Sequence, residues 1–353
     1  MSALKYPNKH KRKGYWKRYR LSDINNLTKV WNFVDDIINE IGIPFIISSV
    51  GRKPKLGYSV YAKCVILLAY FDLTLREMES LLRVLEKDSI DFSNLDRWFT
   101  KAEINWVLNA TRLLHSWIER MFRRGCYIAD STKVTTTQYY VSTQIDNDGN
   151  RILELLTLKL HLLTTYFPSA GIISIANFHL THGDANDNPI LHEYLFEGIS
   201  LRQGRMIHAD KGYWSKENIR SSNERGLVPN IVPKEKCDRS LTLKKAIEMY
   251  DNEARKRNRG MIEGIFGGIT TNQEMKTRFR LDHTRKLHMA LMAFTHEIRT
   301  YFRAIARKAI ALLLFRNNPG LLQDDFDFFA KDLLEVFEDG FADKDFARHL
   351  DLA

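Results

Sequence analysis

Residues 206–213 read Met-Ile-His-Ala-Asp-Lys-Gly-Tyr: a short, mostly apolar run, then an acid, a base, a glycine and an aromatic. The run has strand length, and Asp210-Lys-Gly punctuates its end, so Arg205–Asp210 is expected as a strand that delivers Asp210 where the chain leaves a sheet. A second stretch has the same form. In Cys126-Tyr-Ile-Ala-Asp130-Ser-Thr, a short strand over Cys126–Asp130 follows Gly125 and again ends on an acid. Strand ends of this kind are where α/β sheets open to ligands.

Working outward, Asp146-Asn-Asp-Gly149 is a hairpin-type turn before the apolar run Ile152–Leu163. Gly171–Leu180 is a further strand, ended by Thr181-His-Gly-Asp184. Asn188–Glu197 reads as helix, Ser215–Gly226 as helix and Val228–Val232 as strand. One helix is expected from Lys244 to Gly267 and a long one from Thr284 to Phe315. Three strands followed by alternating helix and strand make an α/β fold, a mixed sheet with helices on its faces. If the second and third strands form an antiparallel meander off the far side of the first, the first and fourth are neighbours. Asp130 and Asp210 then meet at one sheet end.

Residues 21–120 read as an all-helical domain. Ser22 is placed to cap a helix to Glu40, with Leu27, Val30, Trp31, Val34 and Ile37/Ile38 on one stripe. Gly51-Arg-Lys-Pro54 is a basic turn. A helix over Ser59–Phe71 and one ending near Leu85 are joined by Asp72-Leu-Thr74, and Thr74-x-x-Glu77 is a capping box. That outline suits a helix-turn-helix or an ordinary helical hairpin. Thr100-x-x-Glu103 is a second capping box, expected to open a helix reaching Met121.

Composition bounds the partners. The 353 residues carry 53 Lys and Arg against 43 Asp and Glu, a net charge of +10, and 44% are hydrophobic. Such a chain can bury a core, and its length suits two domains at about 150 residues each. The three cysteines, Cys64, Cys126 and Cys237, are too few and too scattered for a disulfide framework or a close-spaced zinc motif. No apolar run approaches the roughly 18 residues of a membrane span, and no secretory signal opens the chain. The expectation is a soluble, cytoplasmic protein with a polyanionic partner. Residues 1–20 supply the reason: Lys5, Lys9, Lys11, Arg12, Lys13, Lys17, Arg18 and Arg20, with no acid, interleave with Tyr6, Tyr15, Trp16 and Tyr19. Such an arm releases counterions from phosphates and stacks on bases. Residues 320–353 are the opposite, with ten acids and three bases among six phenylalanines.

Glu263 is a third acid of interest, in the basic stretch Arg255-Lys-Arg-Asn-Arg259-Gly-Met-Ile-Glu263-Gly-Ile-Phe266, where Arg259 and Glu263 share a helix face. Singly, a strand-end Asp caps a turn and an i,i+4 pair is a surface ion pair. Jointly, three carboxylates are what a two-metal phosphoryl-transfer site needs, and hard oxygen ligands suit Mg²⁺.

Ala129-Asp130-Ser-Thr132, Lys159-Leu-His161, Gly183-Asp-Ala-Asn-Asp187, Ala209-Asp210-Lys-Gly-Tyr213 and Arg259-x-x-x-Glu263-x-x-Phe266 resemble the insertion-sequence DDE transposases of the IS-four/IS-five supergroup. The resemblance runs over roughly residues 50–300. It implies a ribonuclease H-like catalytic domain, expected over 121–315, after the basic arm 1–20 and a helical DNA-binding domain 21–120, with an acidic tail over 316–353. It also implies Asp130, Asp210 and Glu263 as the metal triad and Arg259 at phosphate or a DNA end. The implied cofactor is Mg²⁺, with Mn²⁺ tolerated. The implied partners are the element's terminal inverted repeats and target DNA, held by a nucleoid-associated homodimer on paired ends, with no membrane.

Two positions depart from the family pattern. Its signature helix often has Tyr three residues before the Arg and Lys seven after the Glu; here these are Lys256 and Thr270. Lys256 can still hold phosphate, as can Lys211 beside Asp210, while Lys276 or Arg278 can replace the missing lysine. Lys11, Arg12, Lys13 and Arg18 are the arm's DNA-contact candidates.

Other candidates read as structural. Asp184 and Asp187 lie close together and could be proposed as ligands, but Asp187 precedes a helix containing Pro189, so N-capping is the better reading. His161 and His208 are expected as sheet histidines, Lys159 faces either site or solvent, and Cys126 has no base partner. Trp31, Trp98, Trp106 and Trp117 are core material; Trp214, beside Asp210, is placed to flank DNA. Two rival functions stand beside the transposase: a nuclease of the same fold without strand transfer, and an inactive DNA-binding copy.

Overall fold

The computed structural model describes residues 15–47, 54–85, 90–145, 151–234, 240–273, 276–277 and 281–317. Lys11, Arg12, Lys13, the Asp146–Gly149 turn, Arg278 and the acidic tail beyond Asn317 lie outside them. Five helices come first: α1 (Tyr15–Ile41), α2 (Tyr58–Tyr70), α3 (Leu75–Leu85), α4 (Phe92–Lys101) and α5 (Ile104–Met121). Helix α1 starts seven residues before the expected cap at Ser22, because no glycine or proline between Tyr15 and Ser22 stops it. Its stripe is as read, with Val30, Val34 and Ile37 buried and Phe33 added. Residues 61–69 of α2 are all buried; Lys63 is accommodated by Asp35 Oδ2 at 2.5 Å and by the face of Trp31.

The two capping boxes part company. At α3 both bonds form: Thr74 N to Glu77 Oε2 at 2.7 Å and Glu77 N to Thr74 Oγ1 at 3.2 Å. Thr100 instead lies in the last turn of α4, its hydroxyl donating to Asp96 O at 2.9 Å. The break falls two residues later, where extended Ala102 bridges Phe45 and Glu103 N donates to Pro44 O, so α5 starts at Ile104.

The sheet is built from β1 (Cys126–Ile145), β2 (Arg151–Phe167), β3 (Ile172–His182), β4 (Met206–Ala209) and β5 (Val228–Ile231). Their order is β3-β2-β1-β4-β5. The pairs β1·β2 and β2·β3 are antiparallel, whereas β1·β4 and β4·β5 are parallel. This is the mixed α/β sheet of the ribonuclease H-like expectation, with the meander on the expected side of β1. A short β6 (Lys276–Thr277) adds to β1 at Thr135 and Thr136. Strand β1 is longer than read: it continues past Asp130, which pairs with Leu162. The sheet opens at Asp130 because its neighbour β4 ends at Ala209.

The remaining helices are α6 (Asn188–Ile190), which widens into a π turn over Leu191–Leu195, then α7 (Lys216–Glu224), α8 (Leu241–Glu248), α9 (Asn252–Gln273) and α10 (Asp282–Asn317). The single helix expected from Lys244 to Gly267 is two. Asn230 of β5 donates to Asp251 O and accepts from Asp251 N, each at 2.9 Å, while Asp251 Oδ1 caps α9 through Ala254 N. Alternate residues of β1 serve opposite cores. Ile128 and Val134 join α1, α2, α5 and α10; Tyr127 and Ala129 join Leu191, Ile207, Tyr213, Trp214 and Ile219.

Candidate active site

Strands β1 and β4 run parallel with Ala129 beside Ala209, so Asp130 and Asp210 are the next residues on neighbouring strands. Adjacent strands stand about 4.8 Å apart. Asp130 Oδ1 accepts from Ser131 N at 2.8 Å. Asp210 Oδ1 accepts from Arg255 Nη2 at 2.8 Å. After Asp210 the chain makes one tight turn, Lys211–Tyr213, that buries the Tyr213 ring. Burial first, then the charges of Asp187, Asp130 and Asp210, raise the Tyr213 phenol well above its ordinary range, against the Ser131 hydroxyl. Three carboxylates therefore act on one buried phenol.

Asp187 corrects the sequence reading. It precedes α6 but makes no side-chain cap bond. Its Oδ1 instead accepts from Ser131 Oγ at 3.0 Å, pairs with Lys159 Nζ at 2.6 Å and lies 3.3 Å from His161 Nδ1. An ion pair to a nearly buried ammonium outweighs a backbone cap. Lys159 thus faces the site. His161 and His208 are buried, as expected of sheet histidines; burial lowers each to about 4, so both are neutral at pH 7. His208 is held between Asn230 Nδ2 at 3.0 Å and Asn258 Nδ2 at 2.9 Å.

Helix α9 meets this sheet end through Arg255 and Asn258, and buries Ile262 and Ile265. Glu263 is exposed on the same helix, eight residues or about 12 Å beyond Arg255. Asp130, Asp187 and Asp210 thus converge at one sheet end, with Glu263 on the helix that packs there. Among the described residues no three His, Cys, Asp or Glu side chains stand close enough to form a metal-holding group. Lys256 pairs with Glu253 at 3.0 Å in solvent, and Lys211 is exposed. Arg18 lies on α1 and Arg259 on α9, in the turn before Glu263.

Trp214 does not flank a DNA groove: it is 3% exposed and belongs to the second core, its ring turned in by the Lys211–Tyr213 turn. Cys126 is no nucleophile, since burial raises its thiol to about 11. Arg255 and Asn258 were missed as site residues, and Asp187 was set aside as a cap. Arg255 and Asn258 sit in the basic stretch before Glu263 with no local signal pointing to the sheet, and Asp187 carried the local signature of a cap.

No helix among the described residues is long and apolar enough to cross a membrane. A comparison with curated proteins finds no match to the chain. Residues 122–296 match the family model of the transposase DDE domain. The match begins just before β1, takes in the whole sheet, the turn after Asp210 and α9, and ends inside α10, so this segment belongs to the transposase DDE domain family.

Proposed function

We propose that the chain is a DNA transposase that cleaves the ends of its own element and joins them to target DNA, with Asp130, Asp210 and Glu263 as its metal-holding acids. The observation that carries the reading is the placement of Asp130 and Asp210 side by side on β1 and β4 within the matched segment. The donor set is carboxylate oxygen throughout, which fits Mg²⁺ or Mn²⁺ and not a soft metal. When bound at these acids, such a cation lowers the pKa of an attacking water or 3′-hydroxyl and neutralises charge on the phosphodiester.

The chain's own groups do the rest. Ser131 N donates to the Asp130 carboxylate, and Arg255 neutralises Asp210 while no cation is bound. Lys211, Lys256 and Arg259 flank the acids in sequence and would hold the DNA backbone through phosphate contacts. Lys11, Arg12, Lys13 and Arg18, in the basic N-terminal segment, would add affinity for the terminal repeats, in a homodimer that pairs two ends. Phosphate contacts of this sort position DNA without reading its sequence.

The test is cleavage of the gene's flanking DNA by purified protein with Mg²⁺, Mn²⁺ or EDTA, alongside Asp130→Asn and Glu263→Ala. Metal-dependent nicks at defined flanking positions, lost in both variants while DNA binding persists, are expected. Cleavage without joining would make the chain a nuclease; binding without cleavage would remove the catalytic assignment.

A further inference from the structure

Asp187 joins several parts of the site. Its Oδ1 collects the Ser131 hydroxyl of β1 at 3.0 Å and the Lys159 ammonium of β2 at 2.6 Å. On its other side stands the turn after Asp210: a Cβ built on Gly212 would lie 3.2 Å from Asp187 Oδ2. Lys159 is held in turn by Ala185 O at 3.3 Å, two residues before Asp187. The carboxylate thus bonds the residue after Asp130 and lies against the turn that begins with Asp210. Its lack of any cap bond to α6 leaves these contacts as its role.

We propose that Asp187 is a positioning residue: with Lys159 as its counter-charge, it fixes the Asp210–Tyr213 turn against β1 and so sets the spacing of the Asp130 and Asp210 carboxylates. The proposal rests on the reading of those two aspartates as cation ligands. Groups that orient metal ligands typically change metal affinity 10- to 100-fold when removed. Gly212 belongs to the same device, because a Cβ there would press on Asp187 Oδ2 from 3.2 Å, and the carboxylate would have to shift by a few tenths of an ångström to admit it.

Mn²⁺ binding to the full chain, followed by calorimetric titration without DNA, tests this, with thermal unfolding measured in parallel. Asp130→Asn and Asp210→Asn are expected to weaken Mn²⁺ binding strongly; if neither does, the cation-site reading fails and the proposal with it. Asp187→Ala is expected to weaken binding about 10- to 100-fold and to lower stability, because it strands the Lys159 charge. Asp187→Ala with Lys159→Met removes both charges: stability is expected to recover while Mn²⁺ affinity stays low. Recovery of both together would make Asp187 a mere stabiliser and overturn the proposal. Gly212→Ala, which leaves every charge in place, is expected to weaken Mn²⁺ binding; wild-type affinity there would also overturn it.

Discussion

Arg255 Nη2 donates to Asp210 Oδ1 at 2.8 Å, so a guanidinium from α9 already occupies one oxygen of the carboxylate at the end of β4. A cation approaching Asp210 competes with it. Arg255→Met is therefore expected to tighten Mn²⁺ binding to the DNA-free protein by roughly tenfold, the low end of a charge-assisted bond. Titration of Mn²⁺ into both proteins checks this; unchanged or weaker binding would show that Arg255 orients Asp210 instead of competing for it.

Away from the site, Arg205 Nη1 meets Glu119 Oε1 at 2.5 Å, with both side chains largely buried. Arg205 also donates to Arg123 O, and its guanidinium lies against the Tyr127 ring. Glu119→Gln leaves a buried cation without its counter-charge and is expected to cost about 3–5 kcal/mol. A urea unfolding curve measures it; a loss under about 1 kcal/mol would mean that water reaches the pair, as at exposed ion pairs.

Glu297 of α10 is fully buried and binds Ile175 N at 2.7 Å and the Ser174 hydroxyl, which also meets His115 Nδ1 at 2.8 Å. Burial raises its carboxyl from 4.5 to about 8. The folded state therefore holds this proton more tightly than the unfolded chain does. Its contribution to stability is full below pH 4.5 and is lost as pH rises through about 8. His115, lowered to about 3 by burial, runs the other way, and its contribution is lost as pH falls below 6.5. The difference in stability between wild type and Glu297→Gln isolates the first effect. It is expected to favour wild type most near pH 5 and to shrink towards pH 9, in denaturant titrations at fixed pH. A flat difference would show that Glu297 stays ionised when buried.

Gly183 ends the β2–β3 ladder with its N–H on Thr157 O at 2.9 Å. A Cβ there would stand 1.8 Å from Thr157 Oγ1 and 2.7 Å from Thr157 Cβ. Gly183→Ala is expected to destabilise the fold by about 1–3 kcal/mol, as overpacking does, and Thr157→Gly in the same chain should recover most of it. Thermal unfolding of the single and double variants decides.

Much of this architecture was legible locally. Strand runs, the Ser215 cap that accepts from Asn218 N at 3.1 Å, the Thr74–Glu77 box and the long C-terminal helix depend on residues within a few positions of one another. The same local logic failed at Thr100, where an identical box signature lost to the pairing of Ala102 with Phe45. It failed too at Lys244–Gly267, where Asn230, some twenty residues away, breaks the helix by binding Asp251.

The site divides along the same line. Sequence alone determined which acids follow apolar strands, because periodicity and punctuation are properties of short windows; it made β1 and β4 neighbours only on the condition that β2 and β3 fold as a meander off the far side of β1, and the closed sheet met that condition. Only the tertiary structure decided that Asp187 serves Ser131 and Lys159 instead of α6, that Arg255 reaches Asp210, and that Trp214 is core. Each of those outcomes is a competition for one side chain between a local partner and one brought in by the fold. The winner is the partner offering the stronger desolvated charge pair or the larger buried area, and neither is visible until the chain has closed on itself.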